Sequence, residues 1–209
     1  MKIKKEMKIV KKIAGLGMAL LFAVSLNAQT AKEAFLSMPE SLLPDMNLYA
    51  RMDLVDLYNA GQQAVIANSF NDTIALEKLT SDYLFLKTGK GSLQIMALQM
   101  INESWLYCLI HTVCGPVCDS RMDFYSISWN HLNSDTFITP ATKTDFINEN
   151  PDCPALNISL MQWVYDPETA TLQQRYNTPD YLSLEDQNTI RPFIKERMRE
   201  YRWNGIRFE

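Results

Sequence analysis

The sequence predicts an α+β fold, with N-terminal helices and a C-terminal helix packed on an antiparallel β-meander. Three observations predict it: helical signals open the segment after residue 29, short β-type runs broken by turn residues fill the centre, and a capped helical segment lies near the C-terminus. Of the 209 residues, 47% are hydrophobic and 21% charged, enough apolar content for a core and far from a disordered or collagenous composition. No repeat period, low-complexity tract or Gly/Ser-rich linker divides the chain, so residues 29–209 read as one domain.

Local chemistry places each element. Thr30-Ala31-Lys32-Glu33 has the form of a capping box, Pro39 and Pro44 interrupt the next stretch, and Leu48, Met52, Val55 and Tyr58 recur at helical spacing before Gly61. From Ala64 the period shortens, giving strands over Ala64–Ala67, Ile74–Leu79, Tyr83–Thr88, Leu93–Ile101, Ser104–Val113 and Met122–Trp129. Thr88-Gly89-Lys90-Gly91-Ser92 and Ile101-Asn102-Glu103-Ser104 supply hairpin turns. Beyond them lies a Pro- and Asn-containing stretch with a helical turn at Thr144–Asn148. Next come strands at Ile158–Tyr165 and Leu172–Tyr176, a helix from the Ser183 cap to about Glu200, and a closing strand at Tyr201–Phe208.

The first 28 residues carry an export signal. Lys2, Lys4, Lys5, Lys8, Lys11 and Lys12 form a basic start, Ile13 to Leu26 an apolar run, and Ala28 a small residue at a cleavage point. The alternative is an uncleaved anchor, but the apolar run is short for a span and no second one comes after it, so no transmembrane span is expected after processing. No Cys stands just after the cleavage point, which argues against a lipid anchor and for a periplasmic or secreted protein. The whole chain has 20 Lys+Arg and 24 Asp+Glu; without the six Lys and one Glu of this segment, 14 basic and 23 acidic residues remain, a net charge of −9. Such a surface repels phosphate backbones, so nucleic acid is not an expected partner.

Cys114-Gly115-Pro116-Val117-Cys118 sits between two strong strands. A disulfide between Cys114 and Cys118 across this hairpin sets a register in which Tyr107 faces Tyr125, His111 faces Arg121 and Cys108 faces Phe124, with both faces of the Cys108 strand apolar. Cys108 and Cys153 are then left either as a candidate second bridge or as buried thiols. A thiol-disulfide function for Cys114/Cys118 competes, but such sites need two residues between the sulfurs and a helix N-terminus at the first. Cys108, His111, Cys114 and Cys118 resemble a metal-ligand series, yet strand alternation turns His111 away from the sulfurs, and neither metal nor cofactor is expected.

The two His, His111 and His131, belong to no triad or metal motif, and no nucleophile elbow, Walker loop or dinucleotide fingerprint is present. A carboxylate pair for carbohydrate hydrolysis stays open, because its spacing is invisible in sequence. Trp105, Trp129, Trp163 and Trp203 read first as core residues, with a sugar-stacking platform as the alternative. Asp72-Thr73-Ile74 resembles the acceptor triplet of an O-glycosylation system in some Gram-negative anaerobes, making Thr73 a candidate modification site.

The strings Ala34-Phe35-Leu36-Ser37-Met38-Pro39, Arg51-Met52-Asp53-Leu54-Val55-Asp56-Leu57-Tyr58, Thr80-Ser81-Asp82-Tyr83-Leu84 and above all Thr112-Val113-Cys114-Gly115-Pro116-Val117-Cys118-Asp119-Ser120-Arg121 resemble the domain of unknown function 3256 family. The resemblance runs through most of residues 29–209 and implies an exported protein of a Gram-negative anaerobe, with no assigned activity and no catalytic residues to carry over. The expected function is a non-enzymatic binding or accessory module at the cell envelope, with a protein or glycan partner.

Overall fold

The structure is a computed structural model, and it describes residues 29–67, 72–148 and 154–209. The segment read as a signal peptide, residues 1–28, and Cys153 lie outside the described residues.

Helix α1 (Ala31–Ser37) starts on the capping box expected: Glu33 N–H donates to Thr30 Oγ1 at 3.1 Å and Thr30 N–H to Glu33 Oε2 at 3.0 Å. Pro39 then opens a 3₁₀ turn at Glu40–Leu42, and α2 (Leu48–Asn59) begins under an Asn47 cap. The buried side of α2 is Arg51, Leu54 and Val55, whereas Leu48 and Met52 face solvent. Of the four residues whose spacing predicts this helix, Val55 is buried and Tyr58 packs against the core, and a cation takes the inner position beside them: Arg51 Nη1 donates to the carbonyls of Phe35 (2.8 Å) and Met38 (2.6 Å) at the end of α1.

Seven strands, β1 (Val65–Ala67), β2 (Thr73–Leu79), β3 (Tyr83–Thr88), β4 (Gly91–Gln99), β5 (Trp105–Cys114), β6 (Cys118–Ser126) and β7 (His131–Leu132), form one antiparallel sheet in sequence order, the expected meander. The β5–β6 register runs from Leu106 opposite Ser126 to Cys114 opposite Cys118, and sets Tyr107 opposite Tyr125 and His111 opposite Arg121. Strand β5 is central and buried on both faces from Leu106 to Ile110. Gly91 allows β4 to close on β5, since an added Cβ would overlap the Thr112 carbonyl oxygen.

After a short α3 (Lys143–Phe146), a second antiparallel sheet forms from β8 (Met161–Asp166), β9 (Thr171–Tyr176) and β10 (Met198–Arg202), with β9 in the middle. It packs on the even-numbered face of β4–β6, where Met96, Cys108, Ile110 and Phe124 meet Trp163, Leu172, Phe137 and Phe208. Gln94 links the layers: its Nε2 donates to Trp163 O at 3.2 Å, and its Oε1 accepts from Tyr165 N–H at 3.0 Å. On the odd-numbered face, α1 and α2 bury Ala34, Phe35 and Leu54 against Leu93, Ile95 and Leu109. The result is three layers: helices, the large sheet, the small sheet.

The C-terminal helical segment differs from expectation. After α4 (Thr178–Tyr181), α5 covers only Leu184–Ile190, and residues expected to prolong it form β10. Pro192 has no N–H and its ring clashes with the preceding turn of a helix, while β9 offers an unpaired edge. Residues 198–202 therefore join the sheet, and Trp203 bridges to Phe208 beyond it.

Candidate functional site

The odd-numbered face of the large sheet continues beyond the helices onto β5–β7, and there a buried carboxylate gathers a guanidinium and an imidazole. Cross-strand order places Leu93, His111 and Arg121 in one row, Ile95, Leu109 and Asp123 in the next, and Ala97, Tyr107, Tyr125 and His131 in the third. Asp123 is buried at 7% exposure. Its Oδ2 accepts from Arg121 Nε at 2.6 Å, and its Oδ1 lies 3.4 Å from His131 Nε2. The Arg121 side chain is 73% exposed and that of His131 57%, so a buried anion is lidded by two groups that remain open to solvent. The Arg121 guanidinium is held above its ordinary pKa, chiefly by its bond to Asp123. Burial lowers the His111 pKa, with Asp123 opposing that shift and Arg121 reinforcing it.

An aromatic row borders this cluster. Trp129 lies 5.0 Å from the Tyr107 ring and 5.6 Å from that of Tyr125, and Tyr125 meets His131 edge-on at 5.3 Å. The Trp129 backbone is left-handed, with φ 62°. For a bulky residue that conformation costs on the order of 1 kcal/mol or more, and surrounding contacts must hold it. Here the two neighbouring rings and a bond from Trp129 Nε1 to Ser37 Oγ at 3.1 Å do so.

Beside His111 opens a cavity of about 340 Å³ between the loop at Leu42–Asp45, the β3–β4 turn and the end of β5. Leu43, Pro44 and Leu93 form apolar wall, and Asp45, Asp72, Lys90 and His111 contribute polar groups.

The residues singled out from the sequence fall in separate places. Cys114 and Cys118 are joined in a disulfide across the β5–β6 turn, with Cα atoms 4.0 Å apart. Cys114 ends a strand instead of heading a helix, so it lacks the helix N-terminus that lowers the pKa of a redox thiol. The hairpin is tied to the second layer by Asn177 Nδ2 donating to Cys118 O and Met161 N–H to Asp119 Oδ1, both at 2.8 Å. Cys108 is a buried free thiol whose pKa burial pushes well up. Thr73 is exposed at the start of β2. Trp163 is buried in the interlayer core, while Trp105, Trp129 and Trp203 are half-buried. Among the described residues, no group of three or more His, Cys, Asp or Glu is placed to hold a metal ion, and no helix is long and apolar enough to cross a membrane.

Sequence reasoning missed Asp123 and the approach of His131 to it. The signal was within reach: the register that puts His111 opposite Arg121 also puts Asp123 on the same face, two residues on.

Fold and site together define a three-layer α+β protein with a polar and aromatic strip on one end of its main sheet. The chain belongs to the family described as "Protein of unknown function (DUF3256)", whose model matches residues 23–208. It is similar to a solved domain of an uncharacterized protein from Porphyromonas gingivalis W83, with 28% identity and a TM-score of 0.73 over 85% of this chain and 97% of that one. No curated protein matches it.

Proposed function

We propose that the protein is an exported, non-enzymatic binding module of the cell envelope, and that Arg121, Trp129 and His131, set over the buried Asp123 and Tyr125, contact a glycan. The observation that carries the reading is the strained Trp129: its left-handed backbone holds an indole against the Tyr107 and Tyr125 rings, in the aromatic row that also meets His131 and borders the Arg121–Asp123–His131 cluster. Aromatic rings with convergent polar groups suit the apolar faces and hydroxyls of sugars. Both oxygens of Asp123 are already engaged, which favours positioning and binding over nucleophilic or acid/base use.

The test is a titration of neutral and charged oligosaccharides monitored by calorimetry and amide chemical shifts. Binding that shifts β6–β7 amides and weakens at least tenfold in Arg121→Glu is expected. An absence of binding across the panel, or turnover of a sugar abolished by Asp123→Asn, overturns it.

Export is supported by the basic start and apolar run of residues 1–28. Intact-mass measurement on the native protein is expected to show a chain beginning near Gln29 and a glycan on exposed Thr73. A species retaining Met1–Ala28 overturns the processing. A mass equal to that of the bare polypeptide, or a glycan that persists in Thr73→Ala, overturns the modification at Thr73.

A further inference from the structure

We infer that the cavity beside His111 is a second subsite that takes one neutral, hydroxyl-rich ring of sugar size. The inference rests on the glycan-binding reading above and deepens it by naming where a single sugar unit docks and what charge it carries.

Size and lining both suit such a ring. At about 340 Å³ the cavity stands at the small end of ligand sites, matched to one ring and not to a chain. Its walls are mixed: Leu43 and Pro44 offer apolar surface to a ring face, and Thr88 and Ser92 line it beside the charged groups.

The charges around the cavity disfavour an ion. Asp45 and Asp72 outnumber Lys90 in its lining, so an anion meets net repulsion, while a cation meets the Lys90 ammonium among the same groups. A polyol does not face that conflict, because each hydroxyl both donates to a carboxylate and accepts from an ammonium. His111 adds to this. Its ring makes no hydrogen bond with the described residues, it lines the cavity, and burial keeps it in the neutral form at pH 7, with one donor and one acceptor nitrogen.

The cavity is built by features of local sequence. Gly89 adopts φ 38° at the β3–β4 turn with the Asp72 side chain packed close against it, and Gly91 brings the turn against Thr112. Its inner wall, His111, is the cross-strand partner of Arg121, so the cavity adjoins the strip.

The test uses methyl glycosides of glucose, galactose and N-acetylglucosamine, with galacturonate as the charged control, in saturation-transfer and amide-shift NMR on the disulfide-bonded protein. At least one neutral glycoside is expected to shift the amides of Gly89–Leu93, with affinity changing less than about twofold between low and high salt and at least fivefold tighter than galacturonate. Asp45→Trp, at the exposed rim, is expected to abolish these shifts while leaving oligosaccharide contacts at β6–β7, and His111→Phe to weaken them at least fivefold with folding unchanged. Monosaccharides that leave Gly89–Leu93 unmoved while oligosaccharides still bind β6–β7 overturn the subsite alone. A preference for galacturonate or a steep salt dependence overturns its neutral character. Failure of every sugar at both places overturns the glycan reading itself.

Discussion

Arg51→Met removes the guanidinium of α2 while keeping most of its aliphatic stem. In the wild type, Nη1 donates to the carbonyls of Phe35 and Met38, which end α1 and have no helical partner of their own. Bonds from a charged donor contribute roughly 1.5–3 kcal/mol each, so about 3–6 kcal/mol is lost. Against that stands the buried Nε–H, which has no hydrogen-bond partner among the described residues, and its removal returns roughly 1–3 kcal/mol. Burial also lowers the Arg51 pKa, with Glu40 opposing, a further sign that desolvation of the cation is unfavourable. Taking the middle of each range, the balance is a destabilisation of about 2–3 kcal/mol, which corresponds to a fall in Tm of roughly 5–10 °C for a chain of this size. Arg51→Ala adds the loss of the packed stem, about 1 kcal/mol more. Chemical denaturation and calorimetry measure both. An Arg51→Met variant within about 0.5 kcal/mol of wild type refutes the assignment, for it means that water serves the two carbonyls equally well.

Two further perturbations probe the hairpin bridge and the buried imidazole. Reducing the Cys114–Cys118 bridge, or the Cys114→Ser/Cys118→Ser double variant, opens a loop with a sequence separation of 4 and is expected to cost about 2 kcal/mol with glycan binding intact; loss of a reductase activity with stability unchanged points instead to redox function. His111 is depressed in the folded state, so between its ordinary value near 6.5 and its lower folded value the unfolded chain holds more protons. Stability is therefore fully present above about pH 6.5 and declines as pH falls below it, and His111→Asn is expected to flatten this decline in urea titrations at about pH 5 and pH 7.5; equal slopes refute it.

Much of the architecture is legible in the sequence because its causes are local. A capping box states where α1 begins, Gly-containing turns state where β3 gives way to β4, and two Cys separated by Gly-Pro-Val state the register of β5 and β6. Strand order in the main sheet is a consequence of these, since a meander pairs each strand with its neighbour in sequence. Tertiary structure decided what depends on distant partners. Residues 198–200 read as the end of a helix and only 201–202 as strand, yet all five pair with β9 because Pro192 ends the helix and an open edge is available. The inner face of α2 is set by the unmet carbonyls of α1, which draw Arg51 inward and leave Leu48 and Met52 outside. Asp123 meets His131 only because the chain turns back through the left-handed Trp129 and lays His131 beside Tyr125, and no spacing along the sequence encodes a contact that depends on where a strand folds back.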